Sequence, residues 1–141
     1  MKTDLLKLAE QVEQARISAL SVKQPWAHRI LREGKDIENR DWPTRLRGWC
    51  LLHTGKSTNE DSELIRELRL PLGAVVGAMR IEDCVQGSES PWFFGKYGFV
   101  IGDRIAIEPV PARGQLGFFR FDTDTNSKVA ASLRAIAKES E

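Results

Sequence analysis

The sequence predicts an α+β protein built on a small, closed or nearly closed β-barrel of about six strands, with helices packed at its ends. Three observations lead there. Short apolar runs punctuated by Gly and Pro recur between Ile17 and Phe121, the pattern of small barrels. Helix-period stripes lie at the two ends of the chain. Strands and helices do not alternate regularly after Gly73, which disfavours a doubly wound parallel sheet.

The elements follow in order. Leu5, Leu8, Ala9 and Val12 fall at i, i+3, i+4 and i+7, which predicts an amphipathic helix over 4–15 with Thr3 or Asp4 as its cap. Ile17 to Val22 reads as a short strand. Pro25 suits the first turn of a helix that turns Trp26, Ile30 and Leu31 inward and stops at Gly34. "KDIENR" reads as a brief strand broken by Pro43, and "GWCLLHT" as a more apolar one ending near Gly55. Ser57 with Glu60 offers a capping box for a helix through Leu68, with Leu64, Ile65 and Leu68 buried. "GAVVGAMRIEDCV" is the strongest strand signal, and Gly77 within it marks a bulge or bend. Gln86 to Gly98 is a loop rich in Gly, Ser and aromatics. "FVI" and "RIAIEPV" are then two strands, "ARGQLG" a turn and "FFRFD" the last strand. Asp124 to Asn126 caps a final helix carrying Val129, Leu133 and Ile136.

Composition narrows the class. With 141 residues, 41% hydrophobic and 29% charged, the chain is expected to form one globular domain over 1–141. No window approaches a membrane span, and charges interrupt the N-terminus, so a cytoplasmic location without membrane contact is expected. Cys50 and Cys84 are too few for a disulfide framework, and two reduced thiols are expected. Cys50 and His53 should point to opposite faces of one strand, which argues against a shared metal. No metal and no cofactor is expected.

The net charge of +1 is unevenly spread. From Arg16 to Lys56, nine Lys/Arg face four acids, giving +5; the remainder carries −4. A localised anion-binding face and a merely solvated surface are both compatible with that pattern. Within the segment, Lys35, Glu38 and Arg40 follow a helix stop. A carboxylate between two cations stays ionised and holds both in place. A surface ion-pair ladder on an edge strand would use the same residues.

Residues 20–56, "LSVKQPWAHRILREGKDIENRDWPTRLRGWCLLHTGK", resemble the signature of the ASCH (activating-signal-cointegrator homology) domain of the PUA-like superfamily. The matching residues are Lys23-Gln24-Pro25-Trp26, then Lys35, Glu38, Asn39, Arg40 and Trp42, then Arg47-Gly48 and Lys56, although Gly34-Lys35 is one residue tighter than the family's Gly-x-Lys. "PVPARGQLGFFRF", residues 109–121, resembles the family's closing strand. The resemblance spans about 17–122 and leaves the terminal helices, 1–16 and 123–141, outside.

The resemblance implies a PUA-like barrel whose cleft, beside the helix after the first strand, receives RNA or a nucleotide-like ligand. In that setting Lys23 would neutralise phosphate and Gln24 would bond a base edge. Trp26 would stack on a base or anchor its helix. Trp42 and Trp92, each beside a proline, are candidates for stacking, and Arg45, Arg47, Lys56 and Arg113 for phosphate contacts. Lys96 and Tyr97 could rim the cleft. DNA remains open, because phosphate contacts alone do not distinguish it from RNA.

Some proteins similar to ASCH domains are hydrolases, including amidohydrolases of acetylated cytidine that use a Lys and a Thr. The Lys position matches Lys35, but the Thr position holds Glu38. A catalytic trio of Lys35, Glu38 and Arg40 would then use Glu38 as a general base toward water or a ribose 2′-hydroxyl, giving a ribonuclease or a nucleoside hydrolase. A module that docks on a protein partner is the third reading, with the partner unspecified.

Overall fold

The computed structural model describes residues 2–139. Among them the elements run α1 (Lys2–Glu13), β1 (Ala19–Ser21), α2 (Trp26–Arg32), β2 (Ile37–Arg40), β3 (Gly48–Thr54), α3 (Ser62–Glu67), β4 (Ala74–Val85), β5 (Tyr97–Pro111), β6 (Phe118–Phe119) and α4 (Thr123–Glu139). The strands form one sheet in the order β2-β5-β4-β3-β1-β6. It is a curled half-barrel, α+β as expected. Hydrogen-bonded ladders do not join its edges, β2 and β6, but side chains nearly do. Trp42, just after β2, packs edge-on against Phe118 of β6 at 5.6 Å and against Phe99 of β5 at 5.4 Å. Arg40 of β2 reaches across to the Ser21 carbonyl of β1 at 2.8 Å.

Two apolar cores lie on opposite faces of the sheet, which explains why the central strands are apolar almost without a break. On one face α1 and α4 lie together, burying Leu5, Leu8 and Val12 with Val129, Ala130 and Leu133 against Leu51, Val75 and Phe119. On the other, α2 covers Cys50, Leu52, Met79 and Phe99. Alternate residues of β3 therefore enter different cores, and each fully buried leucine contributes about 1.5–3 kcal/mol by leaving water. The terminal helices thus share one face rather than capping barrel ends.

Several local expectations need correction. "FVI" and "RIAIEPV" are one strand of 15 residues, bent by three register shifts against β4. The strand expected over "FFRFD" pairs only at Phe118 and Phe119. Helix α3 begins at Ser62 with Asp61 as its cap, because the Asp61 carboxylate accepts from Leu64 N–H at 3.1 Å; Ser57 instead accepts from Asn59 N–H within the preceding loop. Of the three leucine and isoleucine positions expected inside, Ile65 is buried and Leu68 is exposed. The cap of α4 is Asp122, accepting from Thr125 N–H, while Asn126 is buried in the first turn.

Gly77 does mark an irregularity, since the β4–β5 register shifts between Val75 and Gly77. A Cβ there would come 2.3 Å from the Ile105 carbonyl oxygen, so the backbones can approach only at glycine. Arg104 is an unforeseen brace. Its guanidinium donates to the carbonyls of Ile30 and Lys35, both at 2.8 Å, and so ties the end of α2 and the following turn to β5.

Candidate functional site

The parallel strands β1 and β3 both end on the same rim of the half-barrel. Ligand sites in α/β sheets favour the carboxyl ends of parallel strands, where side chains and main-chain groups converge without being used by the ladder. A cleft of about 1450 Å³ opens there. Ser21 to Lys23 and Trp26 form one side, Glu38 to Trp42 a second, and His53, Gly55, Lys56 and Ser57 with the 112–117 turn a third; Phe94 and Gly95 complete the lining.

The second side is organised by Glu38. Its side chain is buried, with Lys35 Nζ at 3.4 Å from Oε1 and the Arg40 Nε and Nη2 both at 2.9 Å from Oε2. Lys35 is 3% exposed and also donates to the Ile37 carbonyl, so it lies behind the cleft wall rather than in the cleft. Burial lowers its pKa from the usual lysine range, against the opposing pull of Glu38. The ladder is therefore interior rather than superficial, and both oxygens of its carboxylate are engaged.

The other predicted residues divide clearly. Lys23, Trp26, Trp42, Lys56 and Arg113 line the cleft together with Glu38 and Arg40. Gln24 does not: its amide oxygen accepts from His28 N–H at 2.9 Å, closing the first turn of α2, and its nitrogen donates to the Pro71 carbonyl at 3.2 Å. With both ends used and 2% exposure, it holds the strand-to-helix corner in place. Arg45 and Arg47 lie outside the cleft; Arg47 pairs with Asp83 at 3.5 Å and lines a smaller groove with Arg16, Trp49 and Arg120. Trp92 is half-buried and outside the lining, as are Lys96 and Tyr97.

The cations of the cleft are not equivalent. Lys23 pairs with Glu60 at 3.7 Å and Arg40 is held by Glu38. Lys56 and Arg113 are exposed and carry no ion-pair partner among the described residues. Trp26 and Trp42 are half-buried, with the guanidinium of Arg29 5.4 Å above one ring and that of Arg40 5.9 Å above the other.

Three features escaped sequence reasoning. Phe94 is 66% exposed and lines the cleft, and "PWFFGKYG" could have flagged it as readily as Trp92. Asn39 fixes the loop that carries it: the amide donates to the Trp92 carbonyl at 2.9 Å and accepts from Phe94 N–H at 3.0 Å. Ser21 and His53, 32 positions apart, meet at 2.9 Å in the cleft lining, where the first and third sides join. His53 packs edge-on against Phe119 and at a tilt against Phe121, on the face opposite the buried Cys50, and both cysteines are free thiols. Burial pushes the Cys50 thiol up to about 12, so it is no nucleophile at neutral pH. No helix among the described residues is long and apolar enough to cross a membrane.

No family model matches the chain, and no curated protein matches it. Among solved structures it is similar to the crystal structure of ASCH from Zymomonas mobilis, over 81% of this chain and 93% of that one, at 16% identity and a TM-score of 0.49. At that identity and score, no residue role is carried across.

Proposed function

We propose that the cleft binds RNA or a nucleotide-like ligand. One observation carries the reading: Lys56 and Arg113, two exposed cations with no ion-pair partner among the described residues, share a cleft lining with Trp26, Trp42 and Phe94. Phosphates need the first kind of group and bases the second, and stacking contributes about 1–3 kcal/mol per base whatever its identity. Glu38, Asp41 and Glu60 also line the cleft, so its field is local to the Lys56–Arg113 side rather than uniformly positive.

The proposal assigns Glu38 to the architecture of the wall and not to turnover. A general base needs a lone pair aimed at its proton, and both oxygens of Glu38 face cations of this chain. A titration of a short single-stranded RNA and its DNA counterpart, followed by tryptophan fluorescence, tests the reading. The binding constant obtained from quenching should fall with salt at a log–log slope of about −1.4 to −2.8, corresponding to two to four phosphate contacts on a single strand. Tighter binding of RNA would identify the 2′-hydroxyl as part of the recognised group. Absence of binding to either polymer overturns the proposal for polymers, and cut RNA recovered from the same sample would restore the ribonuclease role for Lys35, Glu38 and Arg40.

A further inference from the structure

Ser21 and His53 are register partners at the carboxyl ends of β1 and β3. The Ser21 Oγ lies 2.9 Å from His53 Nδ1, and His53 Nε2 lies 2.7 Å from the Ala112 carbonyl oxygen. A carbonyl oxygen only accepts, so Nε2 carries the ring hydrogen. That leaves Nδ1 as an acceptor, and the Ser21 hydroxyl donates to it. The polarity of the chain of bonds is thereby set: serine to imidazole to main chain.

This is the order that a nucleophilic serine requires, with its proton aimed at a base whose far side is held by a third group. The rest of the surroundings fit. Burial lowers the pKa of His53 from its ordinary value, so the ring is neutral near pH 7 and able to take a proton. Phe119 and Phe121 hold it in place, with centroids at 5.9 and 5.8 Å. Gly114 lies so close that a Cβ would come 2.6 Å from His53 Cε1 and 3.2 Å from Ser21 Oγ, so any side chain there would crowd the pair. Arg40 donates to the Ser21 main-chain carbonyl at 2.8 Å, which fixes the end of β1 that carries the hydroxyl. Both partners line the cleft, on a different wall from Glu38.

We propose that Ser21 is a nucleophile and His53 its general base, in an acyl-transfer site that takes anionic carboxylic esters. Lys56 and Arg113, exposed in the same lining, select negative charge. A carbonyl as the third member orients the imidazole but adds no countercharge, which suits the better leaving group of an ester over that of an amide. Ser21 Oγ bonds to the acyl carbon while its proton passes to Nδ1. The bond from that carbon to the alcohol oxygen then breaks as Nδ1 returns the proton to the leaving oxygen. Water, deprotonated by the same nitrogen, attacks the acyl-serine, releases the carboxylic acid and restores the Ser21 hydroxyl.

The test uses the whole chain with two probes: an alkyl fluorophosphonate, followed by intact-mass and peptide analysis, and the anionic ester 4-nitrophenyl hydrogen succinate, followed by nitrophenolate release. The expected result is one phosphonyl adduct per chain at Ser21, absent from Ser21→Ala, and ester turnover lost with it. His53→Gln should slow both by about a hundredfold or more. Ser21→Ala removes a single oxygen, so its melting temperature reports directly whether the fold is kept. A merely structural serine–histidine bond would give no adduct. No adduct, an adduct on another residue, or equal ester turnover by Ser21→Ala overturns the proposal.

Discussion

Two walls of the same cleft treat their cations in opposite ways. At the β2 wall, Arg40 in the lining and Lys35 behind it are committed to one buried carboxylate. On the wall formed by the end of β3 and the 112–117 turn, Lys56 and Arg113 face solvent and form no ion pair among the described residues. Counting charges along the chain treats these four alike, but desolvation separates them. A buried cation is already satisfied and stabilises the fold only while its partner remains; an exposed one keeps its field for a ligand.

The largest effect should come from breaking the committed wall. Glu38→Ala leaves Lys35 buried without a counter-charge and should cost about 3–5 kcal/mol of stability in denaturant titrations. The smaller change Glu38→Gln should preserve RNA binding, which keeps the two walls separable. Next comes the aromatic rim. Phe94→Ala should weaken binding by about 1–3 kcal/mol while leaving the unfolding midpoint in place, because the ring is mostly in solvent. Lys56→Ala and Arg113→Ala should each flatten the salt slope by about 0.7 and shift stability by no more than about 0.5 kcal/mol. If either destabilises the fold as Glu38→Ala does, the contrast between the walls fails.

The smallest effect is a pH dependence. The pKa of His53 is lower in the fold than its unfolded value of 6.5. In the window below 6.5 the unfolded chain binds a proton that the folded chain refuses, so stability should decline as pH falls from 6.5 through the folded pKa. The decline attributable to this residue is the part missing from His53→Gln when both are unfolded at a series of pH values.

Local patterning made much of this legible. The β3 run, the inward stripe of α1 and the irregularity at Gly77 are properties of neighbours in sequence, and they are where the periodicities put them. So is the proximity of Lys35, Glu38 and Arg40, which span one turn and the strand after it. Illegible were the features created by long-range pairing. Ser21 meets His53 only because β1 adds parallel to β3, and nothing local announces that register. The same holds for Arg104, whose partners lie 74 and 69 positions away. Gln24 taught a different lesson, because its place in a polar motif suggested ligand recognition while its amide closes a helix turn. Side-chain polarity tells that a partner exists, and only packing tells whether that partner is the protein itself.

Asn39 holds the aromatic loop solely through main-chain atoms, the Trp92 carbonyl and the Phe94 amide. Its grip is therefore blind to what the loop's side chains are. The side chains at 92, 94 and 96 can be exchanged without loosening the anchor, whereas Gly95, at φ 85, and Phe93, whose ring lies against Gly98, are tied to the backbone path. Variation at this rim is therefore confined to alternate positions while the sheet beneath stays the same.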